Sequence, residues 1–243
     1  MLRIAVQAKG RLFEETMALL GESDIKISTT KRTLLVQSSN FPIEVLFLRD
    51  DDIPQTVATG VADLGIVGEN EFMEKEEDAE IIKRLGFSKC RLSLAIPKDE
   101  DYQGVEWFSG KTIATSYPEI LKAYLTEKGV KADLHVISGS VEIAPGIGLA
   151  DAIFDIVSSG STLVSNQLKE VEVIMQSEAL LIANNNLSDE KQAIRLILQQ
   201  GQVHRLIYII LVRSTTSTKL ETPYGILFAF SIALPFYLSL IHI

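Results

Sequence analysis

The most constraining feature of this sequence is an alternation of short apolar runs and helical segments through about the first 200 residues. Leu2–Gln7, Ala62–Gly68 and Ile153–Val157 are apolar runs with the length of buried strands. Segments with helical periodicity, such as 12–20 and 118–128, lie between such runs. Because strands that alternate with helices usually pair in parallel, the sequence predicts an α/β fold built on a mostly parallel sheet.

The order of these elements predicts two lobes. A new series of strands and helices begins near Ile113, so we expect the chain to cross from one α/β lobe to another and back. The predicted boundaries place 1–94 and 173–200 in lobe I and 95–172 in lobe II. Within lobe I, we expect an acidic helix that runs through Glu80.

Charge and cysteine content narrow the classes of function. The 243 residues carry a formal net charge of -9, which disfavours a nucleic-acid partner or an anionic membrane surface. Cys90 is the only cysteine in the sequence, so an internal disulfide framework and a cysteine-based zinc site are excluded. A single thiol fits a reducing compartment, and we expect a cytoplasmic protein without an export signal at its N-terminus.

The end of the chain differs from the rest in composition. After 200, three basic residues face one acidic residue, and Tyr224–Ile243 is an uncharged apolar run of about 20 residues, the length of a membrane helix. Pro235 interrupts this run. We expect 201–243 to be an aberrant apolar tail and not a native domain, with a membrane anchor as the alternative.

One turn has the composition of a phosphate-binding site. Asp155 lies in an apolar strand, and the polar turn that follows consists of Ser158, Ser159, Gly160, Ser161 and Thr162. Backbone N–H groups and hydroxyls at the start of a helix donate to phosphate oxygens, and an acid just before the turn can accept from sugar hydroxyls. An ordinary helix N-cap is the alternative interpretation.

Two other loops carry candidate ligand contacts. The segment 138–151 is rich in glycine, which permits close approach of the backbone to a ligand, and adds acceptors at Glu142 and Asp151. Lys9 and Arg11 lie in the first strand-to-helix turn and suit a polyphosphate. The alternatives are a connecting loop and a solvated pair of cations.

The sequence gives less support to a metal site or to hydrolase chemistry than to phosphate binding. The segment Arg49–Asp52 could hold a Mg²⁺–phosphate assembly through its aspartates, but it also has the pattern of a helix cap. His135 lies in a predicted strand and is interpreted as structural. No Ser/His/Asp set and no histidine-rich metal spacing occurs in the sequence.

Six blocks of this sequence, taken in order, resemble the long form of the ATP phosphoribosyltransferase family. The blocks are Lys9–Leu12, Arg49–Pro54, Gly60–Asn70, Cys90–Ala95, Gly110–Pro118 and Gly139–Leu163. The resemblance covers about 1–200. It implies a two-lobed α/β catalytic unit similar to the type II periplasmic-binding-protein fold, with the active site in the cleft between the lobes.

The resemblance also implies the first reaction of histidine biosynthesis. In that reaction the anomeric carbon of phosphoribosyl pyrophosphate is joined to N1 of ATP, and pyrophosphate is released, with Mg²⁺ required. A homo-oligomer is expected from the family. The resemblance assigns no metal ligands in this sequence.

Residue roles follow from the same resemblance. Asp155 would hold the ribose hydroxyls of phosphoribosyl pyrophosphate, and the turn Ser158–Thr162 its 5-phosphate. A loop of lobe II would line the same substrate through Glu142, Ala144, Pro145, Gly148 and Asp151. Three cations would stabilise phosphate charge on ATP or on the leaving pyrophosphate: Lys9, Arg11 and Arg49. Together with Asp155 these cations form the predicted catalytic set.

The resemblance ends near Gln200. In the long form a ferredoxin-like regulatory domain follows, and here we expect that domain to be absent or replaced by the apolar tail. The alternative for the whole protein is a non-catalytic two-lobed module that binds a small molecule, with or without a membrane tether formed by the tail.

Overall fold

The computed structural model describes residues 1–22, 25–28, 33–40 and 43–187. Within these ranges, two β-sheets form the centres of two lobes. The predicted apolar tail, and the place of the regulatory domain expected after 200, lie outside the described residues. In the part of the chain that is described, no helix is long and apolar enough to cross a membrane.

Strands and helices alternate along most of the described chain. The strands are β1 (Leu2–Gln7), β2 (Leu35–Gln37), β3 (Ile43–Leu48), β4 (Leu64–Gly68), β5 (Ala79–Arg84), β6 (Cys90–Pro97), β7 (Thr112–Thr115), β8 (Asp133–Val136), β9 (Ala152–Val157), β10 (Leu168–Ser177) and β11 (Ala179–Asn184). The helices are α1 (Arg11–Glu22), α2 (Ile53–Ala58), α3 (Glu69–Lys75), α4 (Pro118–Lys128) and α5 (Ser161–Ser165).

Both sheets are mixed. The first has the strand order β2-β3-β1-β4-β11-β5, and the second has the order β10-β6-β9-β7-β8. Parallel pairing joins β1 to β3 and β4, and β7 to β8 and β9, whereas the other pairs are antiparallel. The prediction of a mostly parallel sheet was wrong, because apolar runs do not reveal strand direction. A short connection makes β2 and β3 antiparallel, and β11 enters the first sheet from the other lobe.

The chain passes between the two sheets twice. It leaves the first sheet after Arg84 and enters the second at Cys90, and it returns between Ser177 and Ala179. The predicted lobe boundaries after 94 and after 172 fall within β6 and β10, which are both strands of the second sheet.

Apolar side chains cover both faces of each sheet. In β1, Ala5 packs in the cluster with α2, whereas the adjacent Val6 packs in the cluster with α1. In β9, Ile153 packs in the cluster with α5, whereas Phe154 packs in the cluster with α4. Since successive strand residues point to opposite faces, burial on both faces explains why these strands read as continuous apolar runs.

The acidic helix predicted to run through Glu80 ends earlier, so that prediction was wrong. Helix α3 ends at Lys75, and Glu76 takes a left-handed conformation with a φ of 49°. The next element is the edge strand β5, which pairs antiparallel with β11. Its side chains stay partly exposed, so its sequence lacks the apolar run that marks a buried strand.

Candidate functional site

The site predicted in the second lobe forms at the carboxyl end of two parallel strands. Because β7 and β9 run parallel, the turns that follow them open at the same edge of the sheet. Tyr117 follows β7 at the start of α4, Asp155 lies near the end of β9, and the turn Ser158–Thr162 follows β9. This edge therefore collects the predicted acid, the predicted phosphate turn and a tyrosine that sequence reasoning did not single out.

Asp155 is a partly buried acid whose pKa is raised to about 6. Burial disfavours the charged form and is the main cause, and the negative charge of Glu142 raises the pKa further. Both residues are predicted substrate contacts, and the structure places them within electrostatic reach of each other. An acid that titrates close to neutral pH at a strand end is typical of functional sites.

The polar turn after β9 depends on a glycine. Gly160 has a φ of 80°, a left-handed conformation that glycine adopts without strain, and α5 begins at the next residue. The hydroxyls of Ser159 and Ser161 are hydrogen-bonded at 2.9 Å. Ser158 and Thr162 are exposed, as are Ser159 and Ser161. The turn therefore presents several hydroxyls on its surface, as the phosphate interpretation requires.

Two of the predicted cations lie at the carboxyl edge of the first sheet. Lys9 follows β1 and Arg49 follows β3, and these two strands are parallel neighbours. The N–H of Ala8 donates to the carbonyl oxygen of Leu48 at 2.8 Å, which holds the two turns side by side. Lys9 is exposed, whereas Arg49 donates from Nε and Nη2 to the two carboxylate oxygens of Asp51 at 2.9 and 3.1 Å.

The third predicted cation, Arg11, reaches the crossing between the sheets. Its Nη2 donates to the carbonyl oxygen of Lys89 at 2.9 Å. The thiol of Cys90 lies near it: burial raises the pKa of this thiol, and the positive charge of Arg11 offsets part of that effect. Arg11 therefore ties the start of α1 to the segment that enters the second lobe.

A buried hydrogen-bond network joins the two lobes. The Tyr117 hydroxyl donates to Glu71 Oε1 at 2.7 Å and accepts from Asn70 Nδ2 at 3.1 Å. The Ser177 hydroxyl donates to Asn70 Oδ1 at 2.8 Å, and all four side chains are buried. Sequence reasoning missed this network because its members are far apart in the chain. The only local signal was that Asn70 and Tyr117 follow the ends of predicted strands.

Repulsion between acids extends from one lobe to the other. Burial raises the pKa of Glu71, and the negative charges of Asp50 and Asp51 raise it further. Burial and the charge of Glu71 raise the pKa of Tyr117, to which the charge of Asp155 contributes. The facing edges of the two sheets therefore carry a series of interacting acids, with the cations of the first lobe beside them.

The first part of the predicted substrate loop lies next to this edge. The segment Val141–Ile143 forms a 3₁₀ turn that contains Glu142, whose charge acts on Asp155. Ala144 is fully buried, in the same apolar cluster as Ile153. The structure thus places Glu142 within electrostatic reach of Asp155, and it buries Ala144 in the apolar core of the same lobe.

The rest of this loop lies elsewhere. Pro145, Gly148 and Asp151 line a separate cavity of about 310 Å³ in the second lobe. Asp151 precedes β9, at the opposite end of the strand from the phosphate turn, and its carboxylate accepts a hydrogen bond from the N–H of Thr112 at 2.8 Å. The structure does not bring these three residues together with the turn Ser158–Thr162, and their role as substrate contacts stays a prediction.

Among the described residues, no group of three or more His, Cys, Asp and Glu side chains is arranged to hold a metal ion. Asp50 accepts from Gln7 Nε2 at 3.1 Å, and Asp51 pairs with Arg49. Proteins usually bind Mg²⁺ through one or two carboxylates together with substrate phosphates. The aspartates after β3 therefore fit a site shared with a phosphate ligand, and not a complete protein cage.

Comparison with known sequences identifies close similarity to one group of enzymes. A sequence model of the ATP phosphoribosyltransferase (HisG) family matches residues 49–202. The ATP phosphoribosyltransferase of Bacteroides thetaiotaomicron is 84% identical over 194 residues, which are 80% of this chain and 69% of that protein. The ATP phosphoribosyltransferase of Cytophaga hutchinsonii is 59% identical over 193 residues, which are 79% of this chain and 68% of that protein.

Comparison with solved structures agrees. A chain of the ATP phosphoribosyl transferase (HisG:HisZ) complex from Thermotoga maritima is 27% identical, with a TM-score of 0.70 over 86% of this chain and 99% of that chain. The probable amino-acid ABC transporter extracellular-binding protein YtmK from Bacillus subtilis is 16% identical, with a TM-score of 0.51 over 84% of this chain and 94% of that chain. The second likeness shows the fold alone, and it confirms the predicted two-lobed fold of the periplasmic-binding-protein type.

Proposed function

This chain belongs to the ATP phosphoribosyltransferase family, the enzymes of the first step of histidine biosynthesis, and we propose that its active site lies between the carboxyl edges of the two sheets. In the reaction, the bond from the anomeric carbon to the pyrophosphate oxygen breaks, a bond from that carbon to N1 of ATP forms, and pyrophosphate leaves. The observation that carries the assignment is Asp155, an acid with a raised pKa that precedes the exposed polar turn.

The second lobe is proposed to bind the phosphoribosyl donor. Hydroxyls of Ser159, Ser161 and Thr162 donate to the 5-phosphate, and Gly160 lets the backbone approach it. The carboxylate of Asp155 accepts from the ribose hydroxyls. Positive charge builds on the sugar as pyrophosphate leaves, and burial makes an ionised Asp155 costly until that charge develops beside it. The interaction therefore stabilises the transition state more than the ground state.

The first lobe is proposed to hold the polyphosphate. Lys9 and Arg49 lie in adjacent turns, so both can contact the phosphates of ATP or the leaving pyrophosphate. Arg49 exchanges part of its pairing with Asp51 for a phosphate contact. We propose the same role for Arg11, because it directly follows the turn that contains Lys9.

Mg²⁺ is proposed to accompany the substrate phosphates. When bound, it neutralises negative charge that develops on pyrophosphate. Asp50 and Asp51 would supply its protein oxygens, since they follow β3 and act electrostatically on Glu71. A bound cation would reduce the electrostatic repulsion between these acids, and this is the physical support for the proposal.

Assembly and location are proposed on separate grounds. The Thermotoga maritima protein forms a complex with HisZ. By analogy, we propose that this chain also assembles with further protein chains, and copies of itself are the expected partners. A cytoplasmic location is supported by the free thiol of Cys90. Light scattering after size-exclusion chromatography measures the assembly directly.

Product formation tests the function. The full chain is mixed with ATP, Mg²⁺ and phosphoribosyl pyrophosphate, and the ultraviolet absorbance of the product is followed. We expect Asp155→Ala and Lys9→Ala each to lower kcat/KM by about two orders of magnitude or more, because each removes charge that acts on the transition state. Lys122→Ala is the control for Lys9→Ala, since Lys122 lies exposed on α4 and pairs with Glu119.

Near-normal turnover in Asp155→Ala or Lys9→Ala would remove the role proposed for that residue. If the unaltered chain binds phosphoribosyl pyrophosphate but forms no product, the non-catalytic binding module is supported instead.

A further inference from the structure

One ion pair outside the proposed catalytic set connects strands of the second sheet. Arg91 of β6 donates from Nε and Nη2 to the two carboxylate oxygens of Glu170 in β10, at 2.5 and 2.7 Å. The hydroxyl of Ser93, two residues further along β6, donates to the same carboxylate at 2.5 Å. The pKa of Glu170 is lowered because Arg91 stabilises its charged form. Glu170 therefore holds the arginine fork in one orientation.

The third nitrogen of the Arg91 guanidinium contacts the phosphate turn. Arg91 Nη1 donates to the carbonyl oxygen of Ser158 at 3.1 Å. Arg91 lies opposite Val157 and Ser93 lies opposite Asp155 in the pairing of β6 with β9. The ladder between these strands ends at the pair of Arg91 and Val157, so the side chain of Arg91 continues the contact where backbone pairing stops.

We propose that Arg91 is a positioning residue for phosphoribosyl pyrophosphate: held by Glu170, it fixes the carbonyl of Ser158 and thereby the turn that receives the 5-phosphate. This inference rests on the proposed function of the turn Ser158–Thr162. Arg91 acts through the shape of the turn and does not itself contact the substrate.

The energetics of the pair favour a positioning role. The side chains of Arg91 and Glu170 are 27% and 25% exposed, and an ion pair that is partly open to water contributes little to global stability. A planar guanidinium with several donors can nevertheless fix geometry at two places at once. Since small displacements of a substrate-holding group are costly to catalysis, the effect on binding exceeds the effect on stability.

The first lobe offers a matched control. Arg3 donates from Nε to Glu44 Oε1 on the neighbouring strand at 2.8 Å, and from Nη1 to the carbonyl oxygen of Val61 at 2.8 Å. The Arg3 side chain is 35% exposed, close to the value for Arg91. Arg3→Gln therefore removes the same kinds of contact at a place that the proposed mechanism does not use.

The test compares Arg91→Gln, Arg91→Lys and Arg3→Gln in the full chain. Initial rates are measured with each substrate varied in turn, and calorimetry with ribose 5-phosphate measures the phosphate contact without turnover. We expect Arg91→Gln to raise the KM for phosphoribosyl pyrophosphate and the Kd for ribose 5-phosphate by about tenfold or more, with the KM for ATP within about twofold. Arg91→Lys keeps the charge but not the planar set of donors, so its KM and Kd should lie between those of the unaltered chain and those of Arg91→Gln.

A separate variant distinguishes the two proposals. Thr162→Ala changes the turn itself, and it should weaken ribose 5-phosphate binding if the turn holds the phosphate. If Thr162→Ala has this effect and Arg91→Gln does not, the role of Arg91 is overturned while the proposed site stands. If neither variant weakens binding, the proposed phosphate site fails. Equal changes in Arg91→Gln and Arg3→Gln, or equal rises in the KM for both substrates, would show that Arg91 is only structural.

Discussion

The hydroxyl of Tyr117 in the second lobe donates a 2.7 Å hydrogen bond to the buried carboxyl of Glu71 in the first lobe. Tyr117→Phe removes this donor and leaves Glu71 with the longer contact from Asn70 Nδ2 at 3.3 Å. A buried acceptor that loses its partner costs about 1–3 kcal/mol, so we expect the free energy of unfolding to fall by that amount. Urea unfolding followed by circular dichroism measures the change.

A second tyrosine provides the control for this prediction. The Tyr102 hydroxyl donates to Glu172 Oε1 at 2.7 Å, but both residues lie in the second lobe and are only partly buried. Water can replace the lost partner there, so Tyr102→Phe should cost less than Tyr117→Phe. An equal or larger loss in Tyr102→Phe would contradict a special role for the contact between the lobes.

A second contact between the lobes caps a helix. The two carboxylate oxygens of Glu74 in α3 accept hydrogen bonds from the N–H groups of Glu119 and Ile120, at 2.9 and 3.1 Å, at the start of α4. Burial raises the pKa of Glu74, so its charge alone does not stabilise the fold. Glu74→Gln keeps the shape but replaces one accepting oxygen with an NH₂ group, which leaves one of the two N–H groups without its partner. We expect a loss of about 0.5–1.5 kcal/mol in urea unfolding. Glu119→Gln removes a charge from an exposed side chain of the same turn but no acceptor of a helix N–H, so it should cost less than Glu74→Gln. A comparable loss in both variants would argue against the cap.

Local patterns were enough to predict β9 and the turn that follows it. Asp155 and the serines that follow are contiguous in sequence, so one apolar run and one polar turn define their place. Glu71 and Tyr117 are 46 residues apart, and their contact depends on how the lobes meet. No local spacing encodes such a contact, which is why the network between the lobes was missed.

The direction of the strands also could not be predicted from the sequence pattern. An apolar run shows that a strand is buried, but β11 and β1 have similar runs and opposite directions relative to β4. The partly exposed strand β5 was not predicted, and the helix expected to run through Glu80 covered its first two residues. Glutamates surround this strand, and its apolar residues do not form a long run. Direction and edge position are set by the connections between elements, and these form only in the folded chain.

The raised pKa of Asp155 predicts a pH dependence of activity. The proposed mechanism needs the carboxylate, and protonation below a pKa of about 6 removes it. We therefore expect kcat/KM for phosphoribosyl pyrophosphate to be constant above this pH and to fall about tenfold for each unit below it. Initial rates measured from pH 5 to 9 at saturating ATP test this. A flat profile across pH 6 would contradict the requirement for an ionised Asp155.

The same group predicts a pH dependence of stability. An acid whose pKa is raised from 3.8 to about 6 on folding binds more protons in the folded state, so its ionisation destabilises the protein as the pH rises from 4 to 6. Above pH 6 the full cost of the buried charge is present. Asp155→Asn should therefore be more stable than the unaltered chain at pH 8, with a difference that shrinks as the pH falls below 6.

Asp133→Asn, at an exposed position in β8, is the control, and its difference from the unaltered chain should not vary in this way. Urea unfolding at pH 5 and pH 8 gives both differences. If Asp155→Asn is less stable than the unaltered chain at pH 8, the carboxylate is stabilising in the free protein.

Replacing each of two glycines by alanine should change the free energy of unfolding in opposite directions. A Cβ at Gly65, in the centre of the first sheet, would lie 2.9 Å from Ile53 Cγ2 and 2.8 Å from Val57 Cγ2, because α2 packs directly on the β4 backbone. We expect Gly65→Ala to cost about 1–3 kcal/mol, the usual range for overpacking. Gly21 lies in α1, and no atom of the described residues, apart from its chain neighbours and the helix backbone, lies within 4 Å of the position of a Cβ there, so Gly21→Ala should stabilise by up to about 1 kcal/mol through helix propensity. Urea unfolding of the two variants measures both changes, and a neutral Gly65→Ala would show that α2 can move away from the sheet at little cost.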